Sequence, residues 1–336
     1  MNSLKSLTVG HLLSGMGGTA IGFKEAGFQT VYANEIEPSS AKTFEENLKI
    51  SVDKKGVQEI CVQDLPSFDV LTSSIMAEFL PKHKPFNPFE NYSLYHAHRV
   101  IQYKKPKVFC FEVTHVRTKT DEQLQWCREA MLPFEEMGYH IRITLLSNQE
   151  HGGVPVQGSM FYILGFMDKE QADRFKEVET MEQPLTLKDC LRLEDDQHEN
   201  YYLDQIFKPS NRYQRIKELI PEEEGVYRLK NLMCKAEELT VESFEKVDLE
   251  RHNMWLLPSF IKNPNYFIRT KKGVRIPTIN EWLAVKGFSS DIEIAQRSAR
   301  GLKSASQQYR EMVAQIGLAT CPPLAKSIAT AINQTF

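Results

Sequence analysis

Apolar and polar positions fall into alternating blocks along the first half of this chain. Thr8-Val9-Gly10-His11-Leu12-Leu13 is an apolar run that stops at a small, glycine-rich turn, Ser14-Gly15-Met16-Gly17-Gly18. Ile21-Gly22-Phe23-Lys24-Glu25-Ala26-Gly27-Phe28 follows with helical spacing, and a second apolar run, Val31-Tyr32-Ala33, ends at Asn34-Glu35. The pattern predicts strand, turn, helix, strand. Residues 40–48 form a further helix with its apolar positions on one face. Val62-Gln63-Asp64-Leu65 reads as the end of another strand, 68–72 as a short buried strand, and the proline-containing 81–91 as a loop. Helices are expected over 94–101 and 122–137, the second closed by Gly138, with a strand at 108–113 between them. Residues 139–146 and 160–166 read as antiparallel strands joined by the turn-rich 149–158. Strands alternating with helices predict a mostly parallel α/β sheet. Beyond Phe166 the pattern loosens. Residues 170–270 are charged and irregular, with short strands at best and a helix around 212–219. Helical periodicity returns over 307–332, interrupted by Pro322-Pro323.

The chain has 336 residues, 41% hydrophobic and 25% charged, with a net charge of −3. These values predict a globular protein of one large or two modest domains. No apolar stretch approaches the roughly 18 residues of a membrane span, and the N-terminus lacks a signal-peptide core. Six cysteines are scattered without a Cys-x-x-Cys pair. Reduced thiols and an intracellular location, cytoplasm or nucleoid, are expected, and no metal site is predicted. The near-neutral balance does not demand a nucleic-acid partner, but a local basic face is enough for one. Arg212, Arg215, Lys217, Arg228 and Lys230 lie among Tyr213, Tyr227 and several acids. The mixture fits a solvated surface or a moderately basic recognition face.

The opening block carries the clearest chemistry. Gly15, Gly17 and Gly18 allow tight backbone conformations and close approach of a ligand to the peptide planes. The helix that follows directs free N–H groups at that ligand. Glu35 stands about twenty residues after the turn, where such a unit places an acid on ribose hydroxyls. The same residues also fit a glycine-rich hairpin or a βαβ unit without a ligand.

Taken in order, the motifs resemble the DNA cytosine-5 methyltransferase family from about Leu7 to Ile332. Leu12-Leu13-Ser14-Gly15-Met16-Gly17-Gly18 and Gly22-Phe23-Lys24-Glu25-Ala26-Gly27-Phe28 look like that family's S-adenosylmethionine motif, with Leu13 in place of the usual Phe. The resemblance implies a Rossmann-like methyltransferase sheet formed by 1–168, with 305–336 packing back on it. It also implies a smaller target-recognition-like domain over 169–304. It assigns cofactor contacts to Leu13, Ser14, Gly15, Met16, Gly17, Gly18, Glu35, Ile36, Asp64 and Leu65. Family members attack C6 of cytosine with a thiolate from a Pro-Cys-Gln loop. Met76-Ala77-Glu78 occupies that position here, and no cysteine lies between Cys61 and Cys110. The family's Glu-Asn-Val becomes Glu112-Val113-Thr114, which retains the acid and loses the Asn. The positioning arginines are replaced by Gly158 and Met160, and the Asn after Gly317 by Leu318. Arg275-Ile276-Pro277-Thr278-Ile279-Asn280-Glu281 resembles the family's structural motif after the recognition region.

The losses cluster at the base pocket and the methyl-donor end, whereas the adenosine half is kept. A catalytically impaired homologue is therefore expected. It would bind S-adenosylmethionine or S-adenosylhomocysteine weakly and act through double-stranded DNA or a partner protein, such as an active methyltransferase in a modification or defence system. Two alternatives stand beside it. One is an active enzyme completed by a partner chain or by an unorthodox nucleophile such as Cys110, which otherwise reads as a small buried hydrophobe. The other is a different S-adenosylmethionine reaction on a small molecule.

Overall fold

A computed structural model describes residues 6–76, 91–114, 121–193, 199–207, 210–231, 234–251, 254, 264–296 and 304–336. The first half contains β1 (Thr8–Leu12), α1 (Gly18–Glu25), β2 (Gln29–Ala33), α2 (Pro38–Leu48), β3 (Val70–Met76), α3 (Tyr92–Lys104), β4 (Val108–Thr114), α4 (Asp121–Glu136), β5 (His140–Ser147), β6 (Ser159–Phe166) and α5 (Lys169–Arg174). The second contains α6 (Leu187–Cys190), α7 (Leu203–Ile206), α8 (Asn211–Leu219), β7 (Gly225–Leu229), β8 (Phe244–Lys246), β9 (Tyr266–Thr270), β10 (Gly273–Arg275), α9 (Ile279–Val285), α10 (Ala305–Leu318) and α11 (Pro322–Asn333). Residues 1–153, 158–183 and 319–336 form one compact unit, and 154–157 with 184–318 form a second.

The first unit is built on a six-stranded sheet in the order β2-β1-β3-β4-β6-β5. β1 runs parallel to β2 and β3, and β3 to β4, whereas β6 is antiparallel to both β4 and β5. The chain moves from β1 outward to β2 and then returns across β1 to β3. That reversal opens a crevice beyond the carboxyl end of β1, where open α/β sheets hold their ligands.

The two faces of this sheet differ in chemistry. One buries Phe109, Phe111, Phe161 and Ile163 against Leu94, Val100 and Ile101 of α3 and Met131 and Phe134 of α4. The strand register puts two partly polar rows on the other face: His11-Thr72-Cys110-Leu164 and Ser74-Glu112-Tyr162. α11 packs against α1 at Gly22. A Cβ there would lie 2.5 Å from Ala325 Cβ and 2.6 Å from the Pro322 oxygen, so only glycine admits this approach. The prolines that interrupt the C-terminal periodicity begin α11, where a missing N–H costs nothing because the first turn lacks intrahelical acceptors.

One sequence expectation is corrected here. Residues 62–65 are not a strand end; Val62–Asp64 is a single 3-10 turn. Val62 and Leu65 are buried while Gln63 and Asp64 are exposed. That i, i+3 spacing fits three residues per turn, whereas a strand would have paired Val62 with Asp64 on one face. The expected loop at 81–91 lies outside the described residues except for Asn91, whose side-chain oxygen caps α3 by accepting from the Leu94 N–H at 3.0 Å.

The second unit holds a four-stranded antiparallel sheet, β10-β9-β7-β8. Its internal anchor is Arg275, fully buried, whose guanidinium forks onto the Glu281 carboxylate at 2.7 and 2.9 Å. Glu281 also accepts the Thr278 N–H at 2.7 Å and the Arg192 N–H at 2.8 Å. Thr278 and Glu281 are the two halves of a capping box that starts α9. Burial opposes ionisation of Glu281, but Arg275 and the two amides outweigh it and hold the carboxyl below its ordinary range. No described helix is long and apolar enough to cross a membrane.

Candidate functional site

The glycine-rich segment leaves β1 through two residues in the left-handed region, Leu13 at φ 53° and Gly15 at φ 56°. Leucine in that region costs about 1–2 kcal/mol, a strain that the surrounding structure must hold in place. The hold is visible. The Ser14 N–H donates to the Asn34 carbonyl at 2.9 Å, and its hydroxyl donates to the same oxygen at 3.2 Å. The buried Asn34 side chain in turn donates to the carbonyls of Asp53 and Lys55 at 2.9 and 2.8 Å. The turn is thereby tied to the end of β2, and β2 to the segment behind it.

Glu35 closes the turn. One carboxylate oxygen accepts the Gly15 N–H at 2.8 Å, and the other accepts the Glu37 N–H at 2.8 Å. Burial pushes its carboxyl above the ordinary range, only partly countered by the amides of Glu37, Gly15 and Ile36. A Cβ added at Gly15 would meet nothing within 4 Å, so this peptide borders open space. Gly17 instead faces inward, against Phe44 and Leu48, and caps α1 at φ 100°. Beyond it the first N–H groups of α1 have no intrahelical acceptors. An acid with spare acceptor capacity, an open peptide and a helix N-terminus thus lie on one connected turn. These groups fit a nucleoside with vicinal hydroxyls.

The other candidate cofactor residues divide. Ile36 is 57% exposed and is free to meet a ligand beside Glu35. Asp64 is exposed on its 3-10 turn. Met16 and Leu65 are buried, and Leu65 packs in the core with Val62, Phe68 and Leu71.

Glu112 is buried on β4 with Ser74 and Tyr162 as its strand neighbours. Its Oε2 accepts the Thr320 hydroxyl at 2.5 Å, and the Thr320 oxygen accepts the Thr19 hydroxyl at 3.1 Å. Neither threonine was singled out by the sequence reading. Thr320 lies 208 residues from Glu112, and a single sequence carries no signal for such a pair. Cys110, two residues before Glu112 on the same face, is buried, and burial with the nearby Glu112 pushes its thiol far above the ordinary range. A thiol so placed is a core side chain and a poor nucleophile. His11, also missed, is buried between Thr72 at 2.7 Å and Thr30 at 3.2 Å, and burial lowers its pKa to about 3. Ala77 follows the last residue of β3 and lies outside the described residues, as do the residues up to 90.

The five candidate DNA contacts sit on α8 and β7 or just beyond it, and each is already engaged. Arg215 pairs with Glu218 at 3.5 Å, Arg228 with Glu245 at 2.6 Å and Lys217 with Asp204. Arg212 donates to the Cys234 carbonyl, and Lys230 donates to the Glu242 carbonyl at 2.8 Å. Exposed pairs of this kind are worth at most about 1 kcal/mol, so a phosphate could displace the acid. Among the described residues no cluster of His, Cys, Asp and Glu is arranged to hold a metal ion.

Comparison with known proteins shows the family and the fold. The profile of the family described as C-5 cytosine-specific DNA methylase matches residues 7–334. The chain is 27% identical over 299 residues to the Type II methyltransferase M.Bsp6I of Bacillus sp. (strain RFL6), spanning 85% of this chain and 88% of that protein. It is 28% identical over 156 residues to the Type II methyltransferase M.FnuDI of Fusobacterium nucleatum, 45% of each chain. A putative DNA modification methyltransferase encoded within an E. coli prophage superposes with a TM-score of 0.64 at 15% identity, over 98% of this chain and 99% of that one. The S. pombe Dnmt2 methyltransferase superposes at 0.58 and 15% identity, over 97% and 98%. The chain belongs to the C-5 cytosine-specific DNA methylase family.

Proposed function

We propose that this chain binds S-adenosylmethionine or S-adenosylhomocysteine at the turn of residues 13–18 and does not by itself transfer a methyl group to cytosine. It acts instead through double-stranded DNA or a protein partner, as a regulatory subunit of a modification or defence system. The observation that carries this reading is the contrast between the two halves of the site. Glu35, Gly15 and the start of α1 form a connected, ligand-ready turn. In the sequence the nucleophile position holds Ala77, and Cys110, the one cysteine on the described strands of the six-stranded sheet, is a buried thiol pushed toward its neutral form. When bound, the cofactor would supply an electrophilic methyl group. This chain's own residues then bind the ribose (Glu35), border the adenosine (Ile36, Asp64) and keep one buried acid (Glu112). They offer no thiolate to activate the base.

Affinity for the cofactor is expected to be reduced, because Leu13 stands where the family carries an aromatic ring and Leu318 where it carries Asn. Contact with DNA falls to the residues of 169–304, with Arg212, Arg215, Lys217, Arg228 and Lys230 exchanging their local partners for phosphate. The deciding experiment incubates the protein with DNA carrying 5-fluorocytosine and S-adenosylmethionine. No denaturation-resistant adduct is expected, and equilibrium dialysis of the same sample should show bound cofactor.

A further inference from the structure

The buried Glu112 is hydrogen-bonded toward the cofactor turn. Thr19 is the second residue of α1, the helix whose N-terminus ends that turn. Its hydroxyl donates to Thr320 at 3.1 Å, and the Thr320 hydroxyl donates to Glu112 Oε2 at 2.5 Å. Thr320 is itself buried, one residue before the α11 N-cap. Each hydroxyl has a single proton, so the chain has one direction: Thr19 to Thr320 to the acid. Rotation of the Thr320 hydroxyl away from this order would take a donor from the buried carboxylate, and rotation of the Thr19 hydroxyl would take a donor from Thr320. Bonds in such a series also polarise one another.

The contact at Gly22 packs α1 directly on the backbone of α11, close enough that a Cβ at Gly22 would lie 2.6 Å from the Lys326 nitrogen. α1 is thus held at two places: in its first turn by Thr19 through Thr320 to the sheet, and one turn on by Gly22 against α11.

We propose that Thr320 and Thr19 are positioning residues that use Glu112 as a buried anchor to hold the first turn of α1 in its ligand-binding geometry. The retained acid then serves the cofactor turn, which accounts for its presence in a chain without the nucleophile. This inference rests on the cofactor reading above. Breaking the chain of hydroxyls leaves the turn to be ordered by the ligand, which weakens binding by about three- to tenfold, the worth of one net hydrogen bond.

The test is calorimetric titration of the full chain with S-adenosylhomocysteine, alongside thermal melts. Thr320→Val and Thr19→Val, which keep side-chain shape and remove the hydroxyl, should each raise Kd about three- to tenfold. The double variant should show less than the sum of the two effects, and Thr320→Ser should return Kd to within about twofold of wild type. Valine variants that lower Tm while leaving Kd at the wild-type value would overturn the proposal, because a merely structural bond behaves that way. Thr19→Val, at a half-buried helix position, decides the matter should Thr320→Val fail to fold. Wild-type protein that binds no ligand would overturn the cofactor reading itself and the inference with it. A bound wild type with unchanged variants would overturn the inference alone.

Discussion

Replacing Glu35 probes the cofactor turn where its geometry is best defined. A carboxylate offers about four acceptor positions. The amides of Gly15 and Glu37 take one on each oxygen, and capacity remains for a ribose hydroxyl. Hydrogen bonds to a charged acceptor are worth about 1.5–3 kcal/mol, so Glu35→Ala should weaken S-adenosylhomocysteine binding roughly 10- to 150-fold. Glu35→Gln separates charge from shape. Its amide oxygen can serve one of the two backbone donors, but its NH2 must then face the other. A buried donor without an acceptor costs about 1–3 kcal/mol, so Gln should lose most of what Ala loses despite its near-identical size. The raised carboxyl adds a pH signature. With its folded value above the ordinary 4.5, Glu35 takes up a proton on folding. Its contribution to apo-protein stability therefore declines as pH rises from the unfolded value through the folded one. Ribose hydroxyls donate to the ionised form, so ligand affinity should rise over that same interval and level off above it. Isothermal titration from pH 4.5 to 8 measures the affinity, and denaturant titration over the same range the stability. Equal affinity for wild type, Ala and Gln, or an affinity indifferent to pH across that interval, would refute the placement of the ligand on this turn.

Four further outcomes are expected. Arg275→Met leaves Glu281 buried without its fork partner, and chemical denaturation should show a loss of about 3–5 kcal/mol. Because Glu281 is held below its ordinary value, its contribution is complete above the unfolded pKa and is lost as pH falls through the folded one; the wild-type melt should show this acid-side decline and the Glu281→Gln melt should not. Gly22→Ala sets a methyl group against the backbone of α11, and a cost of about 1–3 kcal/mol in Tm-derived stability is expected. Charge reversal at Arg212 and Arg215 should weaken DNA binding across all sequences and flatten its salt dependence; an unchanged log Kd against log salt slope would remove α8 from the DNA interface.

Much of the first unit was readable from residue order because its signals are local. The turn between β1 and α1, the acid after β2 and the antiparallel β5-β6 pair each declare themselves within a few tens of residues. Residues 62–65 misled because a four-residue window cannot separate alternation from a three-residue turn until burial is known. The polar face of the sheet was hidden for a different reason. His11, Thr72, Cys110 and Tyr162 are placed by strand register, and their environment depends on α1 and α11 at opposite ends of the chain. Glu112 was visible as a retained acid, but its partner Thr320 was not. The fork of Arg275 on Glu281 had a partial signal in the Thr278-x-x-Glu281 spacing, which marks a capping box and says nothing of the arginine. In the second unit, the cluster of basic residues looked like an open face in one dimension. In space each cation has found a nearby acid or carbonyl.

The central claim is that the fold and the cofactor turn persist without a working nucleophile. Covalent trapping tests it most directly. The unmodified protein is incubated with duplex DNA containing 5-fluorocytosine and S-adenosylmethionine, denatured, and resolved by gel and intact mass. No protein–DNA adduct is predicted, and Ala77→Cys should restore little or none, since the positions of Gly158 and Met160 still lack arginine and such groups act as a unit. An adduct formed by the unmodified chain alone would contradict the account, and peptide mapping of that adduct would name the nucleophile.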